Sequence, residues 1–187
     1  MIIKESPIGG CFVIKPSVFE DHRGYFFESF NQKLLDEAIG YSPQFVQDNQ
    51  SQSTYGVLRG LHLQQGDWQQ AKLVRAISGK ILDIAVDVRL NSPHFGKYFS
   101  QILSEGNKLQ LFIPRGFAHG FVVLSEMATI HYKADNYYNK EAESGLLYND
   151  PELNIDWQIP DEMIITSEKD QHLPTLAEFK EKLLTNK

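Results

Sequence analysis

Short stretches of alternating apolar and polar residues, each closed by a turn signal, constrain this fold most. In residues 81–89 (ILDIAVDVR) every second position is a large aliphatic residue, and Asn91-Ser92-Pro93 breaks the stretch. Such alternation is typical of a strand with one buried face. Breaks recur about every 8–12 residues, the spacing of an antiparallel sandwich or barrel. Because 12% of the residues are aromatic and 13 glycines and 8 prolines supply turns, the sequence predicts an all-β fold.

Strands and a few short helices account for the patterned segments. The other predicted strands include residues 71–76, 109–113, 119–124 and 129–134. Residues 31–39 predict a short helix, which begins at a capping asparagine and ends at Gly40. Residues 175–184 predict a C-terminal helix, with apolar residues at helical spacing after Thr175 as a cap. Since there is no internal repeat or linker, we expect a single domain over residues 1–187.

Composition and charge exclude several classes of function. The chain has 18 Lys and Arg against 24 Asp and Glu, a net charge of −6, and no basic stripe that would indicate nucleic-acid binding. No apolar run approaches the ~18 residues of a membrane span, and the N-terminus lacks the pattern of a signal peptide. We therefore expect a cytoplasmic protein without a membrane partner. Cys11 is the only cysteine, which excludes an intramolecular disulfide and a cysteine-rich metal site.

Leu58–Gln64 (LRGLHLQ) combines an arginine and a histidine around a glycine. Strict alternation places Gly60, His62 and Gln64 on one strand face and Arg59 on the other. A bulge at Gly60 would instead bring Arg59 to the side of His62. The segment is consistent either with a functional pair or with a surface arginine and a hydrogen-bonded histidine.

Residues 114–121 (PRGFAHGF) deliver His119 through a turn onto the start of a strand. This spacing resembles the second motif of cupins, which are double-sheet jelly rolls. In metal-binding cupins that histidine joins a His-x-His pair and a glutamate, whereas residues 62–64 here read His-Leu-Gln and the next acidic residue, Asp67, lies in a predicted turn. Two imidazoles without a third such ligand are a poor transition-metal site. We therefore expect a cupin-like antiparallel jelly-roll barrel with a few short peripheral helices and no catalytic metal.

Three side chains suit acid/base chemistry in the mouth of such a barrel. His62 is a candidate base, because imidazole exchanges protons near neutral pH. Lys72 is a candidate for stabilising a developing oxyanion, and Tyr132 is a candidate acid. The sequence is also consistent with purely structural roles, in which Lys72 lies at a strand edge and the ring of Tyr132 fills the barrel.

Eight short motifs, taken in their order and spacing, resemble the dTDP-4-dehydrorhamnose 3,5-epimerase family. They lie at residues 21–28 (DHRGYFFE), 47–51 (QDNQS), 58–62 (LRGLH), 70–74 (QAKLV), 113–121 (IPRGFAHGF), 132–133 (YK), 149–151 (NDP) and 167–170 (SEKD). The resemblance runs from residue 21 to about residue 176. It implies a jelly-roll barrel, a homodimer, no cofactor, and the substrate dTDP-4-dehydro-6-deoxy-D-glucose in dTDP-L-rhamnose synthesis.

The resemblance also implies roles for individual residues. His62 is the base, Asp170 orients and polarises it, and Tyr132 is the acid. Contacts with the nucleotide and the sugar are implied for Arg23, Phe26, Glu28, Gln47, Asp48, Asn49, Arg59, Lys72, His119, Tyr138, Glu143 and Lys169. Of these, residues 23–28 would reach into the partner subunit's site, and Tyr138 would stack on the thymine.

The epimerisation that the resemblance implies requires a base, an acid and a cation together. A ketone at carbon 4 acidifies the hydrogens at carbons 3 and 5, so removing either gives an enolate, and reprotonation on the opposite face inverts the carbon. Lys72 would stabilise the enolate oxygen. The alternatives are an epimerase of a related dTDP-4-keto-deoxysugar that inverts one carbon only, a metal-dependent cupin enzyme, and a non-catalytic nucleotide-sugar-binding module.

Overall fold

The computed structural model describes residues 1–185, which form thirteen strands and two α helices. The strands are β1 (Ile2–Glu5), β2 (Phe12–Lys15), β3 (Val18–Asp21), β4 (Gly24–Phe27), β5 (Gln47–Thr54), β6 (Leu58–Gln64), β7 (Lys72–Ser78), β8 (Lys80–Asp87), β9 (Tyr98–Ser104), β10 (Gln110–Ile113), β11 (Phe117–Val123), β12 (Met127–Ala134) and β13 (Glu143–Gly145). The α helices are α1 (Gln32–Ile39) and α2 (Leu176–Thr185), and single 3₁₀ turns lie at Gly66–Trp68, Lys140–Ala142, Asp161–Met163 and Asp170–His172.

Two antiparallel sheets pack face to face. The six-stranded sheet has the order β1-β2-β10-β7-β12-β5, and the five-stranded sheet has the order β13-β6-β11-β8-β9. Strands β3 and β4 form a separate antiparallel hairpin. Because all ladders in both sheets are antiparallel, the predicted all-β, cupin-like jelly-roll barrel with short peripheral helices is confirmed.

The hydrophobic core has three parts, one between the sheets and one on the outer face of each. The part between the sheets includes Val74, Ile81, Leu111, Phe121 and Ile130. Helix α2 covers the outer face of the five-stranded sheet with Leu176 and Phe179, and α1 covers part of the six-stranded sheet with Leu35. Strand β8 is therefore buried on both faces, and not on one face as its alternation predicts.

Strand β8 also ends two residues earlier than its alternation predicts. The carboxylate of Asp87 accepts hydrogen bonds from the backbone N–H of Arg89 at 3.0 Å, from its Nε at 2.9 Å and from the Ser92 hydroxyl at 2.6 Å. An aspartate that binds the backbone two residues further on turns the chain out of the sheet.

Capping residues define both α helices. Asn31 accepts a hydrogen bond from the backbone N–H of Leu34 at 3.1 Å, and Gly40 ends α1 in the left-handed region at φ 81°, which confirms the predicted boundaries of this helix. Thr175 and Glu178 bind each other's backbone N–H groups at the start of α2, as in a capping box. The predicted domain extends to residue 187, and its last two residues lie outside the described range. Among residues 1–185, no helix is long and apolar enough to cross a membrane.

Candidate active site

A cavity of about 500 Å³ opens between the two sheets. This volume lies in the usual range for small-molecule sites. Its lining residues come from both sheets and from the segment that follows the last strand. The cavity brings together seven residues that the sequence singles out: Asn49, Arg59, His62, Lys72, His119, Tyr132 and Asp170.

A bulge in β6 turns Arg59 and His62 towards the same cavity. His62 pairs with His119 in the β6–β11 ladder, but Arg59 pairs with Phe121, so β6 holds one residue more than β11 in this interval. Gly60 is at φ 127°, and a Cβ atom there would lie 2.6 Å from the Gly120 Cα atom. The bulge predicted at Gly60 is therefore confirmed, and only a glycine fits this close approach.

His62 is held by a buried aspartate from the C-terminal segment. Its Nε2 lies 2.7 Å from Oδ1 of Asp170, while Oδ2 of Asp170 accepts the backbone N–H of Gly60 at 3.4 Å. The Asp170 side chain is 5% exposed, and the His62 side chain is 31% exposed. Burial would raise the pKa of Asp170, but the hydrogen bond and the charge of His62 outweigh it and hold that pKa below its ordinary value. An ionised carboxylate only accepts, so in the neutral form of His62 it is Nε2 that carries the proton and Nδ1 that has the lone pair.

A second histidine–aspartate pair includes His119, which also lines the cavity. Nε2 of His119 lies 2.8 Å from Oδ1 of Asp83, and these side chains are 7% and 0% exposed. Burial lowers the pKa of His119 below its ordinary value despite the neighbouring carboxylate, and the charges of Lys72 and His62 act in the same direction. Sequence reasoning missed Asp83 as part of this site. The available signal was an aspartate among the aliphatic residues of a strand, since a buried carboxylate requires a partner.

Lys72 and Tyr132 lie close together on adjacent strands. Nζ of Lys72 is 5.6 Å from the centre of the Tyr132 ring. Burial lowers the pKa of Lys72 to about 8, although the charges of Asp83 and Glu143 raise it. Burial raises the pKa of Tyr132, while the charge of Arg59 lowers it and the charge of Glu143 raises it. At neutral pH, Lys72 is therefore mostly cationic and Tyr132 carries its proton.

Glu143 joins two further predicted residues, Tyr138 and Lys169, and none of the three lines the cavity. Its carboxylate accepts the Tyr138 hydroxyl at 2.9 Å and forms an ion pair with Lys169. Burial would raise the pKa of Glu143, but the hydrogen bonds from Lys169 and Tyr138 lower it below its ordinary value. The Tyr138 ring is exposed. The structure thus places Tyr138, Glu143 and Lys169 in one hydrogen-bonded group. Lys169 directly precedes Asp170 in the chain.

The three predicted residues of β5 divide between its two faces. Asn49 lines the cavity, and its Oδ1 accepts from Nε2 of Gln47 at 3.0 Å. Gln47 in turn accepts the backbone N–H of Tyr138 at 3.1 Å. The side chain of Asp48 is not brought to the cavity, because successive residues of a strand point to opposite faces. It forms an ion pair with Lys133 at 3.0 Å.

Arg23, Phe26 and Glu28 do not line this cavity. Arg23 and Phe26 lie on the β3–β4 hairpin, where Arg23 pairs with Asp21 and Phe26 is 70% exposed. Glu28 accepts hydrogen bonds from the Asn31 side chain at 3.1 and 3.2 Å. Arg23 and Phe26 on the hairpin, and Glu28 directly after it, therefore lie outside the chain's own cavity.

His62 and His119 do not belong to a larger group of metal-ligating side chains. Within residues 1–185, no group of three or more histidine, cysteine, aspartate or glutamate side chains could hold a metal ion. Gln64, the residue at the place of the second histidine of the cupin motif, donates instead to the backbone carbonyls of Trp68 at 2.7 Å and Tyr137 at 3.1 Å.

Comparisons with known proteins agree on one family. The profile described as dTDP-4-dehydrorhamnose 3,5-epimerase matches residues 5–178. The dTDP-4-dehydrorhamnose 3,5-epimerase of Escherichia coli K12 is 48% identical over 179 residues, which cover 96% of each chain. A crystal structure of the enzyme of that name from Elizabethkingia anophelis superposes with a TM-score of 0.92 at 54% identity, covering 95% of this chain and 97% of the other.

A dTDP-6-deoxy-D-glucose-3,5-epimerase from Legionella pneumophila, solved in complex with dTDP-4-keto-L-rhamnose, also superposes with a TM-score of 0.92. It is 44% identical to this chain, and the match covers 97% of this chain and 96% of the other. The profile match and these identities extend over nearly the whole length of the chain, including every element that lines the cavity. The chain belongs to the dTDP-4-dehydrorhamnose 3,5-epimerase family.

Proposed function

We propose that this protein inverts carbons 3 and 5 of dTDP-4-dehydro-6-deoxy-D-glucose to give dTDP-4-dehydro-L-rhamnose in dTDP-L-rhamnose biosynthesis. The observation that carries the proposal is the meeting of His62, Lys72 and Tyr132 in one cavity. These side chains supply the base, the cation and the acid that an epimerisation through an enolate requires.

His62 removes the proton from the substrate carbon. Its Nε2–H donates to Asp170, so Nδ1 is the nitrogen that accepts the proton. The charge on Asp170 stabilises the imidazolium that forms, and its hydrogen bond fixes the orientation of the ring. Asp170 is thus a positioning residue that acts through His62.

Lys72 and Tyr132 complete each inversion. The electron pair of the broken C–H bond moves into an enolate whose negative charge lies on the carbon 4 oxygen, where the Lys72 ammonium stabilises it. One preorganised donor of this kind contributes about 10²–10³ in rate. Tyr132 then gives its phenolic proton to the opposite face of the carbon, and solvent returns the proton to Tyr132 and takes it from His62. The same groups serve the second carbon after the ring shifts.

The remaining predicted residues bind the nucleotide and the sugar. Arg59 and Lys169 supply positive charge for the diphosphate, and the exposed ring of Tyr138 stacks on the thymine. Polar contacts with the substrate come from Asn49, Gln47, His119 and Glu143, or from side chains that these residues orient. The Asp48 side chain is not assigned a contact, because it lies on the other face of β5.

The β3–β4 hairpin completes the site of a second copy in a cytoplasmic homodimer. Support comes from Arg23, Phe26 and Glu28, which the resemblance assigns to the substrate but which lie outside the cavity of their own chain. Phe19, Tyr25 and Phe26 of the hairpin are 66%, 60% and 70% exposed. Apolar side chains so exposed on one hairpin favour burial against a partner.

Proton NMR in D₂O with dTDP-4-dehydro-6-deoxy-D-glucose tests the activity. We expect loss of the signals at carbons 3 and 5, and formation of an L-sugar that a reductase and NADPH trap. Loss of only one signal would indicate the single-carbon epimerase. Binding without exchange would indicate the non-catalytic module, and activity lost with a chelator and restored by a metal would indicate the metal-dependent enzyme.

Mixing two inactive variants tests the contribution of the hairpin. A dimer of one Arg23→Ala subunit and one His62→Asn subunit contains one site with a native histidine and a native partner hairpin. If residues 23–28 serve the partner's site, random exchange of subunits restores about a quarter of the wild-type activity. If they serve their own subunit, the mixture stays as inactive as its components.

A further inference from the structure

Among the described residues, one side-chain hydrogen bond ties Arg59 to the opposite sheet. Its Nε donates a hydrogen bond to the hydroxyl of Ser53 at 3.0 Å. Arg59 lies on β6 of the five-stranded sheet, whereas Ser53 lies on β5, at the edge of the six-stranded sheet. The Arg59 side chain therefore bridges the two sheets where the cavity lies between them.

Ser53 is more buried than its neighbours on β5. It is 8% exposed, and it points to the same side as Asn49 and Ser51, which line the cavity. Within residues 1–185, the Arg59 guanidinium is the side-chain partner of its hydroxyl. Burying this hydroxyl without a hydrogen bond would cost stability relative to alanine. The hydrogen bond to Arg59 therefore accounts for a buried serine at this position.

The contact determines which edge of the guanidinium remains available. Arginine has five N–H donors in a planar fork, of which Nε carries one. With Nε engaged by Ser53, the four N–H groups of Nη1 and Nη2 remain, and no ion pair within residues 1–185 engages them. Two parallel donors on one edge match two oxygens of a phosphate group.

We propose that Ser53 is a positioning residue that holds Arg59 by its Nε so that the Nη edge binds the diphosphate of the nucleotide sugar. The identity of the ligand rests on the proposed function, whereas the orientation of Arg59 rests on the geometry alone.

Calorimetric titration of Ser53→Ala with dTDP and with thymidine tests the proposal. Losing one hydrogen bond that orients a charged donor is expected to weaken dTDP binding about 3- to 10-fold. Thymidine has no phosphate, so its affinity should not change. In the epimerisation assay, KM should rise by a similar factor with kcat within about twofold, because the diphosphate is remote from the reacting carbons. Ser53→Thr, which keeps the hydroxyl, should restore the wild-type values.

Two controls separate this role from a structural one. Thr54→Ala removes a hydroxyl from the adjacent, exposed residue of β5 and should leave dTDP affinity unchanged. In an Arg59→Ala background, Ser53→Ala should weaken dTDP binding no further, since the two residues act as one unit.

Equal losses for dTDP and thymidine, or additive losses in the double variant, would overturn the role of Ser53. Unchanged dTDP affinity in Ser53→Ala would overturn it as well. If the wild-type protein binds dTDP no more tightly than thymidine, the assignment of the diphosphate site fails, and the proposed function fails with it.

Discussion

Replacing Asp170 with asparagine removes one charge while nearly preserving shape. The two carboxylate oxygens of Asp170 each accept a hydrogen bond, one from Nε2 of His62 at 2.7 Å and one from the backbone N–H of Gly60 at 3.4 Å. Asparagine has one acceptor oxygen and one donor nitrogen. If its oxygen stays on His62, its amide N–H groups face the N–H of Gly60. If it turns over, it satisfies Gly60 but presents an N–H to Nε2 of His62.

The turned orientation reverses the histidine tautomer. Nε2 must then accept, so the proton moves to Nδ1, the nitrogen that we assign to proton abstraction. In either orientation the imidazolium loses its carboxylate. Hydrogen bonds to charged groups contribute about 1.5–3 kcal/mol and neutral ones about 0.5–1.5 kcal/mol, so losing the charge alone costs about 1–1.5 kcal/mol, or roughly tenfold in rate. The reversed tautomer of a catalytic histidine has cost about 10⁴ in kcat in a serine protease triad.

We therefore expect Asp170→Asn to lower kcat by about 10–10⁴-fold, depending on the orientation of the amide, with little change in KM. Deuterium exchange at carbons 3 and 5, followed by proton NMR, measures the proton-abstraction step directly. Asp67→Asn is the matched control, because Asp67 is an exposed carboxylate in a 3₁₀ turn and its loss should not change the exchange rate. A kcat in Asp170→Asn above one tenth of the wild-type value would refute the assignment of Asp170 as the residue that orients the base.

Three further changes test the other parts of the site. In the proposed mechanism Lys72 acts as a cation, and burial lowers its pKa to about 8, so kcat/KM should fall as pH rises through about 8. In Lys72→Arg that alkaline limb should move upward at reduced activity, and a limb that stays near 8 would exclude Lys72 as its source. Tyr132→Phe should lower product formation about 10²–10³-fold and leave measurable solvent exchange at the first carbon; full epimerase activity would exclude it as the acid. Gly60→Ala, whose Cβ would meet the β11 backbone, should destabilise the fold by about 3 kcal/mol, a fall in Tm of about 6–12 °C by thermal unfolding. Gly24 has φ 126° and open space around it, so Gly24→Ala should destabilise the fold less. Equal losses of stability in the two variants would mean that the positive φ, and not the clash with β11, determines the loss.

The fold was predictable because its central strands alternate apolar residues between clear turns. Strand β5 shows where this signal ends. Its sequence QDNQSQST has no large apolar residue, since β5 lies at a sheet edge and is held there mainly by its ladder with β12. Backbone hydrogen bonds form with any side chain, so such a strand has no hydrophobic pattern from which to predict it.

The site was predictable only in part, because only some of its residues belong to local sequence motifs. The motifs around His62 and His119 are local, and their chemistry can be read from spacing. The partner of His62 lies 108 residues away, and the resemblance to a family assigned it where local pattern could not. Ser53 was missed because its partner Arg59 lies on the opposite sheet, and Asp83 because its partner His119 lies on the neighbouring strand β11, 36 residues away.

The two histidine–aspartate pairs show why contact geometry alone does not assign a role. Both have a nitrogen–oxygen distance near 2.8 Å, at 2.7 Å for His62 and 2.8 Å for His119. The His62 side chain is 31% exposed, whereas that of His119 is 7% exposed. A proton acceptor must become cationic during each turnover, and access to water or substrate lowers the cost of that charge. Burial lowers the pKa of His119, with the Lys72 charge acting in the same direction, so His119 stays neutral and serves as a fixed hydrogen-bonding group. The difference in burial between two otherwise similar pairs therefore supports the proposal that His62, and not His119, abstracts the proton.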